Sequence, residues 1–453
     1  MDMEKTICQE LLTLLEQKKY CELHALMHKM QPVDLAEALD EMEDDKLLFV
    51  FRLLPKDLAA ETFVEMDTQK QEAVIRCFSD NELRAVISEL FADDTVAIIE
   101  EMPANVVKRI IQNADSALRR SINEILQYPA DSAGSIMTTE FVDLKAEMTV
   151  DEAFRHIRKT GLDKETVYTC YIIDQNRHLT GVVNIKTLLL AEPDAKMSDL
   201  MEENVISVNT SDDKEDVAKK FEKYDFLAMP VVDRENRLVG IVTVDDAIDV
   251  MQEETNEDFA KMAAMAPIEN TYLGTSVFVH ARKRILWLLV LMLSATFTGL
   301  LITKYEQAFE ALPLLVSFIP MLMDTGGNCG SQSSTMIIRC LATDEIAFKD
   351  YFRVLSKEIR ISLCVSIVLA TVNTLRVLLM YGFSHEKLML SIVLGITLIV
   401  AIFIAKVLGC SLPMLAKKCG LDPAIMAAPL ITTIVDACSV LVYFNVATLI
   451  LHL

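Results

Sequence analysis

The chain has 453 residues and carries 66 Asp and Glu against 43 Lys and Arg, a net charge of −23, while 52% of its residues are apolar and its mean hydropathy is +0.31. A disordered acidic chain would not be half apolar, and a wholly membrane-embedded one would not carry this charge. The sign also makes the protein a poor partner for nucleic acid. The charge is unevenly placed: residues 271–453 hold ten acids and fourteen bases, a net of +4, which leaves −27 on residues 1–270.

Residues 1–130 show no strand pattern. Helical fragments recur with acidic starts at Pro32-Val-Asp-Leu, Pro55-Lys-Asp-Leu and Asp80-Asn-Glu-Leu, and Leu35, Leu58 and Leu83 are spaced by 23 and 25 residues. Acids near helix N-termini complement the helix dipole. The spacing predicts a superhelix of short antiparallel helices. The opening Met1-Asp-Met-Glu-Lys5 has no apolar run behind it, so this half is expected in the cytoplasm.

Residues 137–251 repeat. Asp174-Gln-Asn-Arg-His-Leu-Thr-Gly181-Val-Val aligns with Asp233-Arg-Glu-Asn-Arg-Leu-Val-Gly240-Ile-Val at an offset of 59. Each copy reads as strand, polar hairpin and strand between helices, with Met137 and Met201 opening the two units. This resembles a tandem pair of cystathionine-β-synthase-type (CBS) modules, which such pairs usually use to dimerise. In the second unit Thr243 and Asp246 resemble that family's nucleotide contacts. The first unit has Asn184 and Thr187 and lacks the acid, so adenine nucleotide (ATP) binding at one site and a bare scaffold both remain open.

A linking helix is expected from Asp245 to about Met265, carrying Asp246, Asp249, Glu253, Glu254, Glu257 and Asp258. Such a stripe reads by itself as a solvated face. Five apolar runs follow: Ile285–Ile302, 311–338, Ile359–Phe383, Leu388–Leu415 and Ala424–Leu453. Each is long enough to span a membrane. The second is expected to break or bend at its centre, where it runs into a Gly-rich stretch. Basic residues at Arg282–Arg284, 339–360 and Lys417-Lys418 predict those loops inside, and Lys304–Glu310 and Gly382–Lys387 outside, with the C-terminus outside. The expected segments are 1–130 (helical superhelix), 131–200 and 201–251 (CBS modules), 245–270 (connecting helix) and 271–453 (membrane domain).

Ionisable groups inside spans are functional candidates. Asp436 lies mid-way along the last span, with Thr432 one turn before it. Asp324-Thr-Gly-Gly-Asn328 opens a polar stretch that runs to Thr335. Carboxylate, amide and hydroxyl oxygens suit a hard cation or a proton. Alternatively the glycines serve helix packing, and Asp436 pairs with Lys406 or Arg376.

Pro320-Met-Leu-Met-Asp-Thr-Gly-Gly-Asn328-Cys-Gly-Ser-Gln-Ser-Ser-Thr335 and Pro429-Leu-Ile-Thr-Thr-Ile-Val-Asp436 together resemble the second and last spans of the MgtE-type magnesium transporter/channel family. That resemblance covers nearly the whole chain. It implies a multidomain membrane protein: an α-helical superhelix, α/β tandem CBS domains, a connecting "plug" helix and five transmembrane α-helices, as a homodimer in the lipid of the plasma membrane. It implies Mg²⁺ uptake, with Asp436, Asn328 and Thr432 in the pore. Cytoplasmic Mg²⁺ would close the pore by bridging Asp93, Asp94, Asp225, Asp246, Asp249, Glu254, Glu257, Asp258 and Asp422. Lys406 departs from the family, where a neutral or amide residue is expected. The rivals are a CBS-regulated transporter of Co²⁺, Mn²⁺ or Ca²⁺, an ion-coupled antiporter, and a membrane-anchored sensor. An enzyme is not expected, because no Walker A, nucleophile elbow or His-Glu-x-x-His pattern occurs. The ten cysteines form no CxxC pair, so zinc is not expected either.

Overall fold

The computed structural model describes residues 2–268, 272, 275–305, 313–426 and 428–451. It divides into two units, Met1–Gln252 and Glu253–Leu453. Most of the expected outer segment Lys304–Glu310, the first residues of the second run and the end of the fifth lie outside the described residues.

The first unit begins with ten short helices: α1 (Asp2–Glu16), α2 (Tyr20–Met27), α3 (Pro32–Asp40), α4 (Asp44–Phe51), α5 (Lys56–Val64), α6 (Thr68–Cys77), α7 (Asp80–Ile87), α8 (Ala92–Glu101), α9 (Ala104–Asn113) and α10 (Leu118–Ile125). Local chemistry sets their starts. Pro32 occupies the first turn of α3, where its missing N–H costs nothing. Ser79 and Glu82 form a capping box on α7, and the Asp67 side chain accepts from Gln69 N at the start of α6. Odd-numbered helices stack in sequence, α1 on α3, α3 on α5, α5 on α7 and α7 on α9. Leu35 and Leu83 are fully buried, with Leu58 packed against the same core. The 23- and 25-residue spacing is therefore the two-helix step of the superhelix.

Two three-stranded sheets follow, β1 (Asp143–Leu144), β2 (Thr169–Ile173) and β3 (Leu179–Asn184), then β4 (Val208–Asn209), β5 (Ala228–Val232) and β6 (Leu238–Thr243). In each, the first strand runs parallel to the second and the second antiparallel to the third. The helices around them are α11 (Val150–Thr160), α12 (Ile185–Leu190), α13 (Met197–Leu200) and α14 (Lys214–Tyr224). The two hairpins are chemically alike: Asp174 Oδ1 accepts from the amides of Asn176 and His178, and Asp233 Oδ1 from those of Glu235 and Arg237. Each module also lends backbone to the other's sheet. Thr138 pairs with Ile241 and Glu202 with Val182. A shared core of Phe141, Tyr171, Ile173, Ala228, Leu238 and Ile241 joins the two sheets. Gly181 and Gly240 hold equivalent positions beneath these crossings, where a Cβ would meet Met201 and Met137 at 2.7 Å.

The long helix α15 (Val244–Met262) ends near the length expected for the linking helix. Beyond it lie α16 (Val277–Lys304), α17 (Ile319–Ala342), α18 (Tyr351–Tyr381), α19 (His385–Lys418) and α20 (Ala428–Leu451). Four segments, those of α16, α18, α19 and α20, are long and apolar enough to cross a membrane. α17 has 24 residues, enough to span by length, and its polar motif lowers its hydropathy. It packs between α19 and α20.

The break expected in the second run is absent: Ile319–Ala342 is one uninterrupted helix. Its glycines serve close packing instead. A Cβ on Gly326 would meet Ser439 Oγ at 2.8 Å, one on Gly327 the Thr432 methyl at 2.7 Å, and one on Gly330 the Ile431 side chain at 2.8 Å. On the other side, Gly409 of α19 lies directly against the Gly330 carbonyl.

Candidate ion path and acidic regulatory sites

One side of α17 stays polar and exposed along its length: Asp324, Asn328, Gln332, Thr335 and Arg339. Their spacing of four, four, three and four residues places them on one face. Such a face is costly against hydrocarbon and belongs beside water. Asn328 Nδ2 donates to Asp324 Oδ1 at 3.1 Å. Ser331 and Thr432 hydroxyls meet at 3.2 Å, tying α17 to α20. One turn beyond Thr432, Asp436 Oδ1 is buried with no hydrogen-bond partner, and so is Ser439 Oγ in the next turn. A cavity of about 1260 Å³ lies alongside, bounded among others by Asn328, Gln332, Arg339, Glu358 and Lys406.

The pairing alternatives for Asp436 are not realised among the described residues. Lys406, 6% exposed, lies 3.8 Å from Glu358 Oε2, which also accepts from Ser333 Oγ at 2.6 Å. Arg376 donates to Asn373 Oδ1 at 2.9 Å. The departure at Lys406 is thus absorbed by a glutamate on α18.

In the first unit, two helix starts bring acids together. Asp93 and Asp94 open α8, and Asp245 and Asp246 open α15. Burial lifts Asp94 to about 6, reinforced by Asp245 and Glu65. Burial also raises Asp93, with the charges of Asp246, Asp94 and Glu165 adding to it. Asp246 is pushed up to about 7 by burial, against the hydrogen bond it accepts from Thr243. Glu165 rises to about 8 by burial and by Asp94 and Asp246, and its Oε2 is buried without a partner. Burial and the charges of Asp249 and Asp245 raise Glu65 as well. Buried acids that repel one another are what a divalent cation would neutralise. Among the described residues no three His, Cys, Asp or Glu side chains converge tightly enough to hold a bare ion.

In the second unit, Lys261 Nζ lies 2.6 Å from both Glu257 Oε1 and Asp422 Oδ2. Burial would lower its pKa, but the hydrogen bonds to Asp422 and Glu257 raise it overall. Asp422 Oδ1 also accepts from Ala424 N at 2.7 Å.

The CBS pair contains a cavity of about 350 Å³ whose wall includes Tyr168, Asn184, Thr187, Glu202, Asp225 and Phe226. Both modules line it, residues 168–200 of the first and 202–230 of the second. Thr243 and Asp246, the candidates by pattern, are bonded to each other and do not line it. Rings, amide and hydroxyl suit a base and ribose, while the lining includes no Lys or Arg for a phosphate tail. The structure thus joins Asp93, Asp94 and Asp246 in one cluster, with Asp249 acting on Glu65. It sets Asp225 in the cavity wall, and it places Glu257 with Asp422 through Lys261. Glu254 and Asp258 lie half-buried on α15. Glu65 and Glu165 were not singled out by sequence: they belong to no local motif, and only the fold brings them beside the acids of α8 and α15.

A CBS pair and helical superhelix in one unit, with apolar helices flanking a polar-faced one in the other, define a regulated polytopic membrane transport protein. Profiles of known families match in the same order: the MgtE intracellular N domain over residues 30–131, the CBS domain over 133–194 and 197–253, and MgtE, described as a divalent cation transporter, over 319–446. Among curated proteins, the chain is 34% identical to the magnesium transporter MgtE of Thermus thermophilus, covering 99% of this chain and 100% of that one. It is 31% identical to that of Bacillus subtilis over 98% and 97%, and 37% identical to that of Enterococcus faecalis over 72% and 71%. The chain belongs to the MgtE family. Two solved structures resemble its soluble half. The cytosolic domain of the Mg²⁺ channel MgtE in complex with ATP aligns with 54% of this chain and 99% of its own, at 33% identity and a TM-score of 0.51. The soluble part of a magnesium transporter aligns with 55% and 99%, at 29% identity and 0.52.

Proposed function

We propose that this chain forms a homodimeric Mg²⁺ channel or transporter of the plasma membrane, shut from the cytoplasmic side by Mg²⁺ itself. The observation that carries the reading is Asp436: a carboxylate oxygen buried in a membrane helix without a partner, beside the polar face of α17. An ionised oxygen left so would cost several kcal/mol, and a passing cation relieves that cost. Asp436, Asn328 and Thr432 would meet the ion's water shell, with the two subunits' aspartates facing one another across a symmetry axis.

For regulation, Mg²⁺ bridging Asp93, Asp94 and Asp246 would favour the compact closed form, with Asp249, Glu254, Glu257, Asp258 and Asp422 as further contributors and Asp225 at the CBS cavity. Ligand binding to one form shifts the population toward it. The soluble half lies in the cytoplasm and the C-terminus outside. The segments 1–130, 131–200, 201–251, 245–270 and 271–453 act as superhelix, CBS modules, connecting helix and membrane domain. The cavity between the two modules, with Tyr168 and Phe226, takes the base and ribose of an adenine nucleotide.

The test is Mg²⁺ flux into proteoliposomes containing the wild type and Asp436→Ala. Wild-type flux and its loss in a dimeric Asp436→Ala support the reading. Normal flux in that variant would sink the role of Asp436, and wild-type liposomes that carry no Mg²⁺ would sink the function.

A further inference from the structure

We infer that Asp324 is a second ion-facing carboxylate, so that each subunit offers a hydrated divalent cation two acids on adjacent helices. This deepens the proposed function and rests on it. Asp324 opens the exposed polar face of α17, and that placement alone would make it a surface acid. Three further observations go beyond placement. Its carboxylate is held by Asn328, a turn along the same face, so its position is fixed toward that face rather than left free in solution. The helix contacts of Gly327 with Thr432 and of Gly326 with Val435 and Ser439 set its turn of α17 beside the turn of α20 that carries Asp436, whose buried oxygen has no partner. Between the helices that carry the two acids sits Ser439, fully buried, its hydroxyl aimed at Gly326 and without a hydrogen-bond partner.

Among the described residues neither acid makes an ion pair within its own chain. Lys406 is paired with Glu358, and Arg376, which keeps its charge, donates to Asn373 Oδ1 and Met321 Sδ rather than to either acid. Two anions on facing helices without an ion pair of their own repel. Tight contacts at Gly326 and Gly327 hold the helices together there, so the repulsion is relieved only by a cation from solution. A large hydrated ion can be held through its water by both carboxylates at once, and its two charges double the attraction each acid supplies. Asp324 then sets how readily the path is loaded, and Asp436 how the ion is passed.

The test is Mg²⁺ uptake by proteoliposomes of the full chain against external Mg²⁺, with hexaamminecobalt(III) as a blocking mimic of the hydrated ion. Wild type, Asp324→Asn and the off-path control Glu386→Gln are compared. Asp324→Asn is expected to raise the half-saturating Mg²⁺ by at least about threefold and to weaken block by a similar factor, while saturating flux persists. Glu386→Gln is expected to match wild type. Where Asp324→Asn does not assemble as the wild type does, Asp324→Ser is read in its place. Unchanged half-saturation and block in the neutral variant overturn the role of Asp324. An equal shift in Glu386→Gln also overturns it, because surface charge alone would then account for the effect. Absence of wild-type uptake instead overturns the underlying transport function.

Discussion

Replacing Asp94 by Asn should stabilise the Mg²⁺-free protein. In the fold Asp94 titrates at about 6 because of burial, Asp245 and Glu65, against roughly 3.9 for an unfolded Asp. A raised acid favours the folded form fully below the unfolded pKa, and that contribution is lost as pH rises through the folded value. The two-unit difference corresponds to about 3 kcal/mol of strain on the ionised form. Sharing among coupled acids and screening by salt reduce it to roughly 1–2 kcal/mol. The opposing loss, of a negative charge in the first turn of α8, is about 0.3–1 kcal/mol, and Asn keeps an oxygen for the Phe91 amide. Repulsion therefore wins. The net gain of about 1 kcal/mol is, for a unit of some 250 residues, a rise in Tm of about 2–4 °C. Calorimetry of the detergent-solubilised chain in EDTA at neutral pH should show it in the soluble unit's transition. The gain should shrink when Mg²⁺ is added and vanish as pH falls toward about 4. A lower Tm for Asp94→Asn in EDTA, or a gain that ignores pH, would refute the reasoning.

Asp40 offers a second pH test away from the acidic cluster. Burial lifts it to about 6 despite the Asp67 amide it accepts from, and its Oδ1 is buried without a partner. Asp40→Asn should resist urea better than wild type above pH about 6 and equally below about 4; a pH-independent difference would count against it. In the membrane unit, Gly409→Ala should fail to assemble or should lower detergent stability sharply, because its methyl would overlap the Gly330 carbonyl, and backbone cannot move aside as a flexible side chain can. A Gly409→Ala protein with wild-type size-exclusion behaviour and Tm would show that α17 and α19 do not pack as described.

The repeat of Asp174–Gly181 with Asp233–Gly240 was legible because each hairpin carries its own turn chemistry, and the superhelix because its leucines recur at the two-helix step. Legibility failed where contacts are distant in sequence. The unwinding expected around Gly326–Gly330 rested on glycine's backbone freedom. The structure uses the same residues for their missing side chains, and only the positions of Thr432, Ile431 and Ser439 distinguish the two. Lys406 was puzzling alone because its partner Glu358 lies 48 residues away on another helix. Asp436 needed no partner search, since a lone carboxylate in an apolar run is visible from composition. Glu165 joins Asp94 and Asp246 only after the helices and sheets have folded.

The backbone exchange between the two CBS modules, Thr138 on Ile241 and Glu202 on Val182, has a mechanical consequence. Each module's outermost sheet contact belongs to the other, so neither can hinge, slide or melt without stripping its neighbour. Cutting the chain between them would leave two halves that each lack an edge. Moving one module against the other has to break these backbone contacts and open the core that the two sheets share.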